Sequence, residues 1–386
     1  VQTCGRPHWG PATTGTIGLA PSANHGANRA EGLFPHIAIG GRFGLGQPRG
    51  QWNTPARLAI LMSWLQGASD FVDQIYNAGR EHQGGIYSTK AVKASTTKVA
   101  DLLATAVAIQ EEDAAAAGQI GYMARAMIWA SLPHRKIAGA HYKRDNGLAS
   151  ITMLVDPDIG LPYGKLPRLI SAWLTREAKL TGSRELALGR SLNEFAQKLG
   201  LSTSGGLRGD TSRLKIQATK LFSTVVSLKA HQGQDFAYKN VALSDEGILL
   251  WNPKKPHEPS LWESTITLSE AFYQECIDYA IPFDLRVLHR LRSPLAIDLY
   301  LWLTWRMFIL RRPALIPWVS LRFQFGAGYA STPQGMAHFR TEFRRCLHDV
   351  QALYPAARIS FESDGLKLFP SPCHVRAIPF PRGAGT

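Results

Sequence analysis

The stretch from Ser191 to Lys229 constrains the fold of this chain more than any other. It reads SLNEFAQKLGLSTSGGLRGDTSRLKIQATKLFSTVVSLK, two helical patterns parted by a Gly-rich turn. Ser191, followed three residues later by Glu194, has the form of a capping box, in which each side chain satisfies an orphan amide of the first turn. Leu192, Phe195, Ala196 and Leu199 then make one apolar stripe at helical spacing. Three glycines fall between Ser202 and Gly209, and Asp210 or Thr211 is suited to cap the next helix. That helix is expected to bury Leu214, Ala218, Leu221, Val225 and Leu228 and to turn Arg213, Gln217, Lys220 and Thr224 outward. The pattern suits a helix-turn-helix, whose second helix enters a major groove. An ordinary helical hairpin with a solvated face has the same pattern. If DNA is met here, the candidate contacts are Arg208, Ser212, Arg213, Gln217 and Lys220.

Charge points the same way. Across 386 residues, 43 Lys and Arg stand against 29 Asp and Glu, a net +14 that makes polyanions the natural partners. The length suggests two to three domains, each able to bury its own core. Cys4, Cys276, Cys346 and Cys373 lie far apart with no C-x-x-C pair, so neither a disulfide framework nor a zinc site is implied and a reducing cytoplasm is expected. The longest apolar run, Leu295 to Leu310, contains Asp298 and Arg306 and is too short to span a bilayer. It reads as a core helix. Residues 1–30 lack the basic-then-apolar order of a signal peptide.

Residues 1–60 hold 11 Gly and 6 Pro with Glu31 the sole acid, a composition of disordered or weakly ordered chain. The chain opens on Val rather than Met, which fits an alternative start codon or an over-extended reading frame. GRFGLGQPRG (Gly41 to Gly50) has Arg49 near where a dinucleotide loop needs glycine, and no strand precedes it. Residues 56–80 read as one helix, and Thr97 to Ala117 as an Ala-rich helix ending at Gly118. From Gly121 an apolar segment leads into a basic loop, with His134, Arg135, Lys136, His141, Lys143 and Arg144 around a hairpin tip at Asn146-Gly147. Ser150 to Val155 alternates like a strand. Asp156 and Asp158 flank Pro157 either as a divalent-metal pair or as the turn ending that strand, and the turn is the simpler reading. Gly160 to Leu166 imitates a phosphate loop but is one residue short, with Leu166 where a hydroxyl is needed. Leu166 to Leu180 is an amphipathic helix with Leu169, Ile170, Trp173, Leu174 and Ala178 inward. Ser183 to Leu188 is a β-like link.

Beyond Lys229, Asp235 to Leu243 and Ile248 to Trp251 read as two strands of a hairpin joined by Ser244 to Gly247. A hairpin behind a helix-turn-helix is a wing. After a Pro-rich loop, Asn252 to Pro259, a third strand is expected at Trp262 to Leu268. A helix capped by Ser269 follows, to Tyr279. A second pass of the plan begins at Ser293-Pro294, with Pro in the first turn where its missing amide costs nothing. A short helix spans Pro317 to Phe323, and a long one runs from Thr332-Pro333 to Tyr354. The long helix buries Met336, Phe339, Phe343, Leu347 and Val350 and shows His338, Arg340, Thr341, Arg344, Arg345 and His348. Arg358 to Glu362 and Leu366 to Phe369 form a last hairpin. From Arg286 to Arg345 there are ten Arg and no Lys against Asp298 and Glu342, a net +8. Arg reads phosphates and guanine edges bidentately as Lys does not. Arg340, Thr341, Arg344, Arg345 and His348 are therefore further candidate DNA contacts.

Three blocks, LPYGKLPRLISAWLTREA, SRELALGRSLNEFAQKLGL and FDLRVLHRLRSPLAIDLYLWLTWR, resemble the plasmid-encoded RepA-type replication initiators, with the segment from Asp284 to Arg306 the most specific. The likeness runs from about Gly121 to Val375. It implies an iteron-binding protein with two winged-helix domains that binds repeated sites in double-stranded origin DNA, helps open the duplex and recruits host replication proteins (helicase and initiator). It also implies repression of the protein's own gene as a homodimer. The expected fold is α+β: a Gly/Pro-rich extension (1–85), an Ala-rich helical linker (86–120), winged-helix domains at 121–268 and 269–376, and a tail (377–386). No cofactor, metal, membrane contact or catalytic residue is expected.

Two other readings share parts of the pattern. His289-Arg-Leu-Arg292 resembles the H-x-L-R element of tyrosine recombinases, with Tyr329 or Tyr354 as the nucleophile such an enzyme would need. A rolling-circle relaxase would need an H-x-H pair, and the sequence has none. A plain transcriptional repressor would bind one operator and do nothing at an origin.

Overall fold

The computed structural model describes residues 89–145, 149–203, 210–232 and 235–375. The extension at 1–85, the helix expected at 56–80, the tip at Asn146-Gly147, the Gly-rich turn with Arg208, and the tail at 377–386 lie outside the described residues. The chain divides after Leu45, and every described residue belongs to the second unit, Gly46–Thr386.

Four helices begin where a hydroxyl is placed to cap them. Ser191 Oγ accepts the Glu194 amide at 3.1 Å and opens a helix at Leu192–Lys198. The returning Glu194 carboxylate takes the Arg190 amide, one residue before the cap, at 2.8 Å. Ser269, Ser293 and Thr332 likewise accept the amides of Phe272, Ala296 and Gly335 and open helices at Glu270–Asp278, Pro294–Ile309 and Pro333–Leu353. Such a cap is worth about 1 kcal/mol. Asp113 accepts the amides of Ala115 and Ala116, both at 2.9 Å, just after the Ala-rich helix, which spans Thr89–Glu111.

In chain order the described helices are α1 (Thr89–Glu111), α2 (Arg125–Ala130), α3 (Lys165–Thr181), α4 (Leu192–Lys198), α5 (Asp210–Phe222), α6 (Glu270–Asp278), α7 (Leu285–Arg290), α8 (Pro294–Ile309), α9 (Trp318–Phe325) and α10 (Pro333–Leu353). The strands are β1 (Ile120–Met123), β2 (His141–Asp145), β3 (Ala149–Leu154), β4 (Glu185–Gly189), β5 (Val225–Gln232), β6 (Asp235–Ala242), β7 (Ser244–Ile248), β8 (Ser264–Leu268), β9 (Ile281–Asp284), β10 (Ala314–Pro317), β11 (Ile359–Phe361) and β12 (Gly365–Leu368). The fold is α+β.

One plan occurs twice. In the first set α3, β4, α4 and α5 lead to a three-stranded antiparallel sheet of order β4-β8-β7. In the second, α8, β10, α9 and α10 lead to one of order β10-β12-β11. The sets differ by an insertion: between α5 and β7 the first makes a long hairpin, β5 with β6, which extends β2-β3 into a four-stranded sheet.

This insertion corrects two expectations. The helix after the Gly-rich turn stops at Phe222, and Val225 and Leu228 lie on β5 rather than on its buried face. The run Val225-Val-Ser-Leu228 satisfies a helical spacing and a strand alternation alike, and β-branched residues with partners on both sides decide for the strand. The hairpin expected from Asp235–Leu243 and Ile248–Trp251 does not form. β6 pairs with β5, while β7 pairs with β8 across a loop at residues 249–263.

The expected amphipathic helix α3 is buried along one whole stretch, Leu166 to Thr175, including Arg168, Ser171 and Thr175. The inward set Leu169, Ile170, Trp173, Leu174 and Ala178 is buried as expected. The remaining side is covered because α3 joins two cores. Ile170, Trp173 and Leu174 pack with Phe195, Leu214 and Trp251 of the first set. Leu169 and Ala172 pack with the second, around α8, Phe339 and Phe343. α8 is the core helix expected, buried without a break from Leu295 to Trp305. Among the described residues no helix is long and apolar enough to cross a membrane.

Candidate nucleic-acid interface

α10 carries the clearest candidate surface. Phe339, Phe343, Leu347 and Val350 are fully buried, so 3.6-residue periodicity turns Arg340, Thr341, Arg344 and His348 away from the core. Arg340, Thr341 and Arg344 line a shallow groove with Pro333, Met336 and Ala337. Two rings hold the arginines. The Arg344 guanidinium lies 5.5 Å from the Trp318 ring and 5.2 Å from that of Phe361, and Arg340 lies 5.3 Å from Trp318. The His348 ring is 5.7 Å from Phe361, which ties this face to strand β11. Cation–π contacts at exposed sites contribute about 0.5–1 kcal/mol each, and here they restrict the rotamers of the exposed Arg344 and the half-buried Arg340. Thr341 is exposed and donates its hydroxyl to Ala337 O. Arg345 differs from its neighbours: it is bonded to Glu342 at 2.5 and 2.8 Å and paired with Asp349 at 3.5 Å, so its charge is answered within its own helix.

The corresponding helix of the first set, α5, buries Leu214, Ala218 and Leu221. Arg213 is exposed and Lys220 half-buried, as an outer face requires. Burial and the nearby Lys136 charge lower the Lys220 pKa. Gln217 and Thr224 correct the reading. Gln217 is 4% exposed and its Oε1 accepts the Tyr163 amide at 2.9 Å, while buried Thr224 lies beyond the helix and donates to Lys220 O. Gln217 thus fastens the loop before α3 instead of facing outward. The side chain of Ser212 and all of Arg208 lie outside the described residues. The sequence did not single out Ile216, which is 53% exposed beside Arg213. Nor did it single out Lys215, which donates to Trp251 O at 2.6 Å and ties α5 to the loop at residues 249–263.

The basic loop expected around the β2–β3 tip is not one patch. Arg144 is buried, and its guanidinium donates to Trp129 O at 2.7 Å and to Ala130 O and Gln324 O, the carbonyl ends of α2 and α9. Helix C-termini carry partial negative charge, which is how this cation is held without a carboxylate. Arg135 donates to Gly328 O, and Lys143 pairs with Asp145 at 2.7 Å. His134 donates through Nε2 to Asp298, 2.9 Å away. Burial lowers the His134 pKa more than that hydrogen bond raises it. Asp298, the acid inside the apolar run, receives Arg168 at both oxygens (2.6 Å each) and Ser131 Oγ at 2.9 Å. Arg168 also donates to Gly164 O and Leu132 O at 2.6 Å. Burial pushes the Asp298 carboxyl up, but the Arg168 charge and hydrogen bonds, with His134 adding, hold it well below the usual carboxylate range. This network joins α3 to α8, the first helix of each set.

The arginine-rich block is likewise partly structural. Arg286 binds Asp284 and reaches Ala108 O and Glu112 O at the end of α1, while Arg290 and Arg292 meet Asp101 of α1 at 3.0 and 3.9 Å. Arg286 and Arg290 thus serve the docking of α1, while Arg292 stays largely exposed. In the recombinase-like element Arg290 and Arg292 lie 3.0 and 3.9 Å from Asp101, Tyr354 is fully buried with its hydroxyl donated to Pro372 O at 2.5 Å, and Tyr329 is half-buried. Asp156 accepts the Asp158 amide at 2.8 Å, the geometry of the turn.

Residues 161–318 match the family model described as plasmid encoded RepA protein. Over these residues the chain is similar to that family. The RepA match takes in the whole first set from α3 to β8, then α8 and β10, and stops at the first residue of α9. No curated protein matches the chain. Nine chains of solved structures match it. Among them is the crystal structure of selenomethionine derivatives of domains 2 and 3 of RctB, with a TM-score of 0.44 at 13% identity, covering 66% of this chain and 100% of that one.

Proposed function

We propose that this RepA-type protein is a plasmid replication initiator without catalytic chemistry. In this reading two winged-helix units bind repeated sites in double-stranded origin DNA, help open the duplex and recruit host replication proteins, with repression of the protein's own gene as a homodimer. The observation that carries the reading is the recurrence of one plan, helix–strand–helix–helix–hairpin with the same sheet order, each copy presenting a helix with exposed arginine. In that plan α5 and α10 are the helices that enter major grooves, and β7–β8 and β11–β12 are the wings. On α10 the contacts are Arg340, Thr341, Arg344 and His348, with Arg345 secondary because Glu342 and Asp349 already answer it. On α5 they are Arg213 and Lys220, joined by Arg208 and Ser212 from the segment before and within its first turn.

Footprinting the full chain on the DNA around its own gene tests the reading. A ladder of protected repeats is the expected result. One protected palindrome would make the protein a plain repressor, and no protection would remove the DNA-binding reading. Nicking of supercoiled origin DNA in the presence of Mg²⁺ would instead favour a strand-cleaving enzyme.

A further inference from the structure

The loop between β7 and β8 carries the two most exposed large apolar side chains among the described residues, Leu261 at 82% and Trp262 at 72%. Single exposed apolar residues are ordinary. Here a Leu and a Trp are adjacent on a loop that the rest of the first set holds in place. Ser260 donates its amide and its hydroxyl to Arg190 O at 2.9 and 2.8 Å, and that hydroxyl also lies 2.7 Å from Trp262 O. The Asn193 amide, at the start of α4, donates to Pro256 O at 2.9 Å. Trp251, at the loop's entry, is buried, stacks on Phe195 with centroids 4.9 Å apart and donates Nε1 to Gly189 O. Lys215 ties that same residue to α5. Pro253, Pro256 and Pro259 fix three backbone angles. The exposed pair is therefore presented by a braced element beside α5.

The charges around it favour a polyanion. Arg190, Lys254 and His257 are exposed, and Lys255 pairs with Glu258 at 2.8 Å, which leaves Glu263 as the acid beside the tip. An indole in such a setting matches the face of a nucleobase, since every base offers a π-surface and its backbone offers the phosphate to the cations beside it. We propose that Leu261 and Trp262 form a base-stacking finger that engages an unpaired or unstacked base of single-stranded DNA next to the duplex held by α5. The inference rests on the DNA-binding reading given above, and it assigns to the first wing the strand-opening part of that activity.

The test uses the full chain with Trp262→Ala, Leu261→Ala and the conservative Trp262→Phe. Both side chains are exposed, so circular dichroism and the unfolding midpoint should be unchanged. Affinity for an oligothymidylate of about 20 nucleotides, which exceeds one stacking site, should fall about 5- to 150-fold in Trp262→Ala, the equivalent of ~1–3 kcal/mol per stacked base. Trp262→Phe should keep most of it, and Leu261→Ala should lose less than Trp262→Ala. Affinity for the duplex repeats should change no more than a few fold. Equal binding of the oligothymidylate by wild type and Trp262→Ala overturns the proposal, whether or not the duplex is bound. A change of oligomeric state in Trp262→Ala with unaltered single-strand binding also overturns it and makes the tip a self-association surface. Trp262-dependent single-strand binding without duplex binding would uphold the finger and sink the reading of α5 and α10.

Discussion

Asp298→Asn removes one charge from a site where nothing else can answer Arg168. Arg168 is 3% exposed and Asp298 8%, and both carboxylate oxygens receive the guanidinium at 2.6 Å. The other Arg168 acceptors are the neutral carbonyls of Gly164, Leu132 and Pro133, so in the variant a buried cation keeps hydrogen bonds but loses its counter-charge. Removing one partner of such a pair costs about 3–5 kcal/mol. Ser131 and His134 still find an oxygen on the introduced amide, so their share of the loss, ~1–3 kcal/mol for an unsatisfied group, is mostly spared. Urea unfolding should therefore show a loss of roughly 3–4 kcal/mol, with the midpoint lowered by about 1–2 M. Arg168→Met should cost a similar amount, by leaving the anion with only Ser131 and His134. The double variant removes both charges and should cost clearly less than the sum, with a coupling above ~1 kcal/mol. Costs that add within about 0.5 kcal/mol, or a single-variant cost below ~1 kcal/mol, would refute the reasoning, because the pair would then behave as a solvated surface contact.

Further expectations concern DNA contacts, salt, pH and the first helix. Arg344→Ala should weaken a cognate site more than a scrambled one, by ~1–3 kcal/mol for a bidentate guanine contact; equal losses in a paired titration would make Arg344 a backbone contact. Phe343→Ala, at a fully buried position, should instead cost about 3–5 kcal/mol of stability in thermal or urea unfolding. If the two sets neutralise about eight phosphates, log K should fall with log[salt] at a slope of roughly −7, and a slope shallower than about −3 would separate the basic faces from binding. Burial lowers the pKa of His374 to about 4 and lowers those of His134 and His289. Groups so depressed contribute stability that is present above the unfolded value near 6.5 and lost as pH falls through the folded ones. Unfolding followed from pH 7 to pH 4 should show a progressive loss, and His374→Gln should flatten it. A chain beginning at Tyr87 should bind DNA within a few fold of the full chain, whereas one beginning at Gly121 should unfold more readily, since it lacks Leu102 and Ala106 of the core and Asp101 opposite Arg290.

The parts that could be read from sequence are those decided within a few residues. All four hydroxyl caps, at Ser191, Ser269, Ser293 and Thr332, open helices because a cap is a contact with the third residue on. The second hairpin was legible for the same reason, as β11 and β12 are joined by a tight turn at Ser363-Asp364. The β7–β8 pairing was not. Its strands pair across residues 249–263, and the inserted β5–β6 hairpin offered a nearer but incorrect partner. Side-chain fates set at a distance were also hidden. Arg144 belongs to a run with the composition of a basic surface, and both it and Arg168 are buried with the help of a carbonyl or a carboxylate more than a hundred residues away. Gln217 fell on the expected outer face because helical periodicity sees only its own helix, and the loop before α3 covers it.

The two sets share more than a plan, and that has a consequence for how DNA would be read. A first helix normally packs on its own set and shows its other side to solvent. Here α3 lies between the two cores, with β1, α5 and α6 also packed on it, and α8 is covered by α10, β9 and α2 as well as by α3, so both are buried through their middle turns. The apolar part of that contact is non-directional and would tolerate a rotation or slip of one set against the other. The Asp298 network does not, because its bidentate geometry holds only at one orientation. Arg144 adds a second fixed point by joining β2, of the four-stranded sheet, to the end of α9 in the second set. Buried polar networks are weak evidence for stability and better evidence for register. On that reasoning apolar packing holds the two sets together without fixing their angle, and Arg168, Asp298 and Arg144 set the orientation of α5 relative to α10.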